Sequence, residues 1–365
     1  MSKWDFVCFI STNETTDMRK KYLLILSLFI ALMIYGCCFF PEINYSTYKH
    51  LYAGNVVSDE IYIIDLKNNT IVDTLTGFRN VNSITATKSG EKLYVSTIYG
   101  GINRTHAIYS VDLHTKNTNK IIDKESDVFI SPSGLPFIIA STPHDSIRAV
   151  GIIDTITDEI TFIDSLDIWS TRLGPQTLAF DPNEKVFYTW SNDLQIFSYN
   201  YEEKRIVKKY TSAYPYLINF IISKDGRYLY FSNGPVVDVL CDSIVGYIPA
   251  NSPNNIGRLA LSPDGEYLYL TDPGIPLNPE ILGSGEIKIF ETNTITNVGS
   301  INVNDASGKI YTMTEGIVIN KTGSKAYVSG NYHDIYVIDL RSNKVKDVID
   351  FEEFGVYVKS LALGI

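Results

Sequence analysis

The stretch LALSPDGEYLY, from Leu259 to Tyr269, reads as an apolar strand, a tight turn and a second strand. In it Pro263 presets φ, Asp264 caps the turn and Gly265 takes the left-handed position. Apolar and polar residues alternate on both sides, as in strands buried on one face. Working outward, the same phrase returns along most of the chain. It appears as ITATKSGEKLYV (Ile84–Val95), VFISPSG (Val128–Gly134) and LAFDPNE (Leu178–Glu184, followed by VFY at 186–188). It appears again as FIISKDGRYLY (Phe220–Tyr230) and IVINKTGSKAYV (Ile317–Val328). With Glu184 in the glycine slot, the turns at 90, 134, 184, 226, 265 and 323 are spaced by 44, 50, 42, 39 and 58 residues. A period of forty-odd residues with loop insertions is the length of a propeller blade.

A second phrase follows the first. Ile61–Leu66 (IYIIDL), Ile108–Leu113 (IYSVDL), Val150–Asp154 (VGIID) and Ile335–Leu340 (IYVIDL) each lead to an Asp at a turn. A fourth strand comes next, as at Ile71–Leu75 and Lys344–Val348. Four strands per unit make one blade. Asp65, Asp112 and Asp339 are expected to cap their turns rather than bind calcium.

The two ends of the repeat region complete each other. Tyr48–Gly54 (YKHLYAG) is a second-strand phrase with no first strand before it. Val358–Gly364 (VKSLALG) is a first-strand phrase with nothing after it. Six full phrases and one split blade predict an all-β, seven-bladed β-propeller of four-stranded antiparallel blades. The C-terminal strand is expected to pair with the N-terminal blade and so remove the free edges of an open sheet.

These phrases resemble the YVTN family of propeller repeats, found in surface-layer-like and periplasmic proteins of bacteria and archaea. The resemblance covers about residues 48–365 and is best at LSPDG (261–265) and in the YVID of the last blade (336–339). The blade around 131–141 and the one holding Cys241 depart from the pattern. The resemblance implies the fold and says little about activity.

The first forty residues read as an address. Residues 1–17 look like a non-native N-terminal extension, because a complete export signal begins at Met18. Residues 18–36 hold a basic start (Arg19, Lys20, Lys21) and a 15-residue apolar run, Tyr22–Gly36. A run this short suits a signal peptide better than a membrane span, which needs about 20 residues. Ile34-Tyr35-Gly36-Cys37 resembles a bacterial lipobox, with Cys37 rather than Cys38 as the lipidated residue. An uncleaved anchor and an ordinary signal are the alternatives. Two or three acyl chains hold a protein stably on a bilayer. Residues 37–47 would be a short tether, and 48–365 the propeller. The expected address is the cell envelope, lipid-anchored on the periplasmic side of an outer membrane or on the cell surface.

Charge narrows the partners. The chain carries a net −10 at pH 7. Residues 1–36 hold four basic and three acidic side chains, so their removal leaves −11. Nucleic acid is an unsuitable partner for such a surface. No Cys pair has the spacing of a zinc site, and Cys241, the single cysteine in the repeat region, is expected to be a small buried residue. A monomer is expected.

In a propeller, the loops from each outer strand to the next inner strand share one face with those joining second and third strands. Reading those loops gives Arg79, Tyr99, Arg104, His144 and Asp145 in the first half. Trp169, Arg172, Tyr214, Tyr216, Glu315, Tyr332 and His333 follow. Aromatic and Arg side chains suit recognition surfaces, and the Trp169–Arg172 segment heads the candidates. The Pro/Gly-rich connection 272–285 is either a lid or a tolerated surface loop.

Catalysis finds little support. His50, His106, His114, His144 and His333 are scattered, and no G-x-S-x-G, P-loop or G-x-G-x-x-G stands in a usable context. The favoured reading is a lipid-anchored, non-catalytic binding or scaffold module for a glycan, peptide or partner protein, with no cofactor. The other is a hydrolase or lyase resembling propeller lactonases, with a divalent metal at the channel mouth.

Overall fold

The structure is a computed structural model. It describes residues 48–99, 105–124, 126–141, 148–163, 178–183, 185–190, 196–210, 219–249, 257–272, 284–304, 314–330, 333–351 and 357–364. These form seven four-stranded antiparallel sheets arranged as a seven-bladed β-propeller. Blade 1 runs from Val358–Gly364 through His50–Asn55 and Glu60–Asp65 to Thr70–Thr76. Blades 2 to 7 follow in chain order, and their inner strands adjoin one another around the axis. Those inner strands are Val81–Ala86, Ser126–Ile130, Ala179–Phe180, Phe220–Ile222, Leu259–Leu261 and Thr314–Ile319.

The ring closes as the split repeat predicted. His50 pairs with Gly364, Leu51 with Leu363 and Ala53 with Leu361, and the backbone N–H of Lys49 donates to Gly364 O at 2.9 Å. A register shift at Gly54/Asn55 ends the ladder opposite Val358.

Turn chemistry explains the repeated hairpins. Gly90, Gly134, Gly226, Gly265 and Gly323 all have φ between 68° and 93°, the conformation that L side chains avoid. The next turn is capped by an Asp in blades 1, 2, 3, 5 and 7 and by Asn200 in blade 4. Asp65 accepts from Lys67 N at 2.9 Å, Asp112 from Thr115 N at 2.7 Å and Asp339 from Arg341 N at 2.9 Å.

The core is divided among the blade boundaries. Seven apolar clusters lie in the structure, each joining residues of two neighbouring blades. Leu51, Ala53 and Tyr62 of blade 1 pack with Tyr327, Ile335 and Val337 of blade 7, for example. Alternation along each strand therefore buries both faces of the middle strands, one against each neighbour. Outer strands carry their charges to solvent, as in Arg205–Lys209.

One sequence expectation is corrected. Cys241 is exposed, not buried. It sits in the turn after Pro235–Asp238, where its backbone N–H donates to Asp238 Oδ1 at 3.1 Å, and that turn projects its side chain outward. The described residues contain no helix long and apolar enough to cross a membrane.

Candidate functional site

Because the strands alternate in direction, the connections fall on two edges of the ring. On one edge, every link from first to second strand has five residues: 87–91, 131–135, 181–185, 223–227, 262–266 and 320–324. Links from third to fourth strand on that edge have four to six. The opposite edge takes the long ones. There, 210–219 has ten residues, 248–258 and 303–313 have eleven, and 164–178 and 271–285 have fifteen. All five adjoin blades 4 to 7.

Side chains tie the inner wall together. Between blades 1, 2 and 3 the inner strands are tied by side chains. Ser83 Oγ donates to Asp127 Oδ1 at 2.7 Å, Lys359 Nζ to Asn82 Oδ1 at 3.0 Å, and Ile84 N to Ser360 Oγ at 2.9 Å. The inner strands of blades 4, 5 and 6 are wholly apolar: Ala179–Phe180, Phe220–Ile222 and Leu259–Leu261. The wall is polar on this side as well: Arg258 Nη1 donates to Asn219 Oδ1 at 3.2 Å across blades 5 and 6, and the inner strand of blade 7 opens with Thr314 and Glu315.

Three of the predicted face residues are described with their surroundings. Arg79 lies 3.5 Å from Asp59 in a pair whose side chains are 60% and 51% exposed. Water screens such a pair strongly, so the guanidinium is held loosely at the rim. Glu315 Oε1 accepts the hydroxyl of Tyr357, and its backbone O accepts Thr271 Oγ1 at 3.0 Å. His333 O accepts the N–H of Phe351 at 2.7 Å. Tyr99 ends the strand Lys92–Tyr99, with its side chain outside the described residues. Arg104, His144, Asp145, Trp169, Arg172, Tyr214, Tyr216 and Tyr332 lie outside the described residues, as does Cys37. The predicted face residues therefore share an edge by topology, and among the described ones Arg79 and Glu315 belong to separate networks.

The insertion 272–285 is pinched at its base. Asp272 Oδ2 accepts from Ser284 Oγ at 2.7 Å and Ser284 N at 3.2 Å, while Asp272 N donates to Thr314 Oγ1 at 2.8 Å. Both Asp272 and Thr314 are buried, so the two stems of this long connection start from a fixed point.

A network at the same edge of blade 1 escaped the reading of the sequence. Asn55 Nδ2 donates to Ser58 Oγ, Ser58 Oγ to Glu60 Oε2 at 2.7 Å, and Tyr62 OH to the same oxygen at 2.5 Å. The bonds from Tyr62 and Ser58 hold the Glu60 carboxyl below its ordinary range. Burial, with Glu60 adding, pushes the Tyr62 hydroxyl up. Glu60 is therefore an anion and Tyr62 a donor at neutral pH. The one sequence signal was an Asn closing a strand three residues before a Ser. Among the described residues no group of three or more His, Cys, Asp or Glu is placed to hold a metal ion.

No protein-family model and no curated protein matches the chain. The shape, by contrast, is widespread: 1515 solved chains share it, so the fold alone selects no chemistry. Among them is a dihydro-heme d1 dehydrogenase, NirN, solved in complex with DHE. It is 13% identical, with a TM-score of 0.56 over 83% of this chain. This chain spans 64% of that structure's length. At that identity the likeness is one of fold alone.

Proposed function

We propose that this chain is an exported propeller of YVTN type, lipidated at Cys37, that serves as a non-catalytic binding or scaffold module. It engages a glycan, peptide or partner protein through the edge above blades 4 to 7. One observation carries this reading. The opposite edge is built of turns of four to six residues, whereas connections of ten to fifteen residues collect over blades 4 to 7. Connections beyond the few residues a blade needs serve recognition more often than folding. The candidates Trp169, Arg172, Tyr214 and Tyr216 all fall in two of those connections.

An acidic body of net −11 does not adhere to an anionic membrane by charge, so the acyl chains would hold it there alone. A Cys37→Ala variant then loses an alkyne-palmitate label and leaves the membrane fraction. Retention of both would end the anchoring claim.

The ligand claim is tested on a glycan and peptide array with the full protein and with Trp169→Ala/Arg172→Ala. Replacing two anchors is expected to weaken the captured probe by about tenfold or more, with an unchanged melting temperature. Equal binding by both proteins would refute the loop-edge assignment. Metal-dependent opening of a lactone would favour the hydrolase reading instead.

A further inference from the structure

The edge of short turns carries a cleft of its own. It lies between blades 5 and 6 and has a volume of about 300 Å³, the lower end of small-ligand sites. Blade 5 supplies Lys224, Asp225, Tyr228 and Tyr230. Blade 6 supplies Asp264, Glu266 and Asn293.

The turns at this boundary differ from the rest. The third turn position is Ser89, Ser133, Asn183 and Thr322 in blades 2, 3, 4 and 7, and an Asp in blades 5 and 6. Two carboxylates therefore meet across one blade boundary. Each Asp uses one oxygen to cap its own turn. Asp225 Oδ1 accepts from Ser223 Oγ and from Arg227 N at 3.1 Å; Asp264 Oδ1 accepts from Ser262 Oγ and from Glu266 N at 3.0 Å. The turn thus fixes both carboxylates through Oδ1 and leaves the Oδ2 atoms to other partners.

The remaining groups alternate in kind. Ser262 and the Glu266 N–H, with Lys224 adding, hold the Asp264 carboxyl below its usual range, so it accepts hydrogen bonds as an anion. Burial, with Asp225 adding, pushes the Tyr230 hydroxyl up to about 12, so it keeps its proton. Lys224 and Asn293 bring ammonium and amide donors, and Arg227 holds the Tyr228 ring as a wall, its Cζ 5.1 Å from the ring centre. Acceptors and donors at short intervals around an aromatic wall match the vicinal hydroxyls of a sugar, each of which both gives and takes a hydrogen bond.

We propose that this cleft is a second binding site, for a small polyhydroxylated ligand of the pyranose class. Three carboxylates against one ammonium leave the site with a formal −2. It therefore favours an amino sugar and rejects a uronic acid. This goes beyond the loop-edge reading and does not depend on it.

The test is a calorimetric titration of the full protein with glucosamine, glucose and glucuronate. Glucosamine is expected to bind saturably in about the millimolar range, glucose more weakly and glucuronate not at all. Asn293→Ala and Asp264→Asn should each weaken glucosamine by about fivefold, the loss of one hydrogen bond. Asn293 is an exposed side chain, so its removal leaves the fold intact, and an unchanged melting temperature verifies this. Trp169→Ala/Arg172→Ala should leave the affinity as it was, which separates this site from the loop edge. The proposal is overturned if glucosamine does not saturate, if both cleft variants bind it as tightly as the parent, or if glucuronate binds best.

Discussion

The backbone N–H of Tyr357 donates to the side-chain oxygen of Asn55 at 3.1 Å, across 302 residues of sequence. The same oxygen accepts from Val57 N at 2.9 Å, and Val56 N donates to Tyr357 O at 3.0 Å. Asn55 is fully buried, so one amide fastens the entry of the closing strand to the blade that the N-terminal segment opens. Asn55→Ala removes the shared acceptor of Val57 N and Tyr357 N. A cost of about 1 kcal/mol is expected, the usual worth of a lost hydrogen bond, because Val57 is 68% exposed and its N–H can turn to water. Urea denaturation of the two proteins checks it, and a difference near zero would show that the ring closes without this clamp.

Asp238 offers a pH test. It is 1% exposed and accepts from Arg227 Nε at 2.9 Å and Nη2 at 2.8 Å, and from the N–H groups of Leu240 and Cys241. Burial alone pushes its carboxyl up, but the Arg227 and backbone bonds together outweigh that and hold it below its ordinary value. A carboxyl lowered in the folded state stabilises above its unfolded pKa of about 3.9, and that stability is lost as pH falls through the folded value. Arg227 is 45% exposed, so water weakens the pair. Asp238→Asn is therefore expected to cost about 1–2 kcal/mol at neutral pH, with the gap closing toward acid. Melting temperatures of both proteins from neutral pH down to about 3 measure this. A gap that stays constant across the range would mean that the charge contributes nothing.

The architecture was legible because its signals are local. A glycine forced to positive φ, an Asp two or three residues before the N–H groups it caps, and two-residue alternation each reside in one hairpin. Closure was legible too, since Tyr48–Gly54 lacks a partner that Val358–Gly364 supplies. The left-handed residue of the second turn in each blade was not. Four of its occupants, Asn69, Asp158, Asp242 and Asn343, are types that tolerate positive φ, but Lys116, Lys204 and Ile295 are not. The short turn and the strand register impose the conformation on these three, whether an Asp, an Asn or a Glu precedes the turn. Cys241 was misjudged for a related reason: its residue type favours burial, but its place in a capped turn decides exposure. Meetings across blade boundaries, such as Asp225 with Asp264 at one cleft, depend on the ring, and a hairpin-length reading does not reach them. The recognition loops carry no period at all, so topology gave their edge and nothing gave their contacts.

Ile295 shows what such a boundary costs. It is β-branched yet has φ of 56°, a conformation that strains such residues. Its side chain fills the space beside Gly246 on the outer strand of the preceding blade: a Cβ built on that glycine would lie 2.5 Å from Ile295 Cδ1. The strain on one side of the boundary is thus matched by a missing side chain on the other. Gly246→Ala forces the two apart and is expected to cost about 1–2 kcal/mol, the usual range for overpacking. Ile295→Gly empties the space and relieves the dihedral, so in that background the alanine should be nearly harmless. A double-mutant cycle by urea denaturation should return a coupling of about 1 kcal/mol. Additive effects would mean that the two blades meet here without constraining each other.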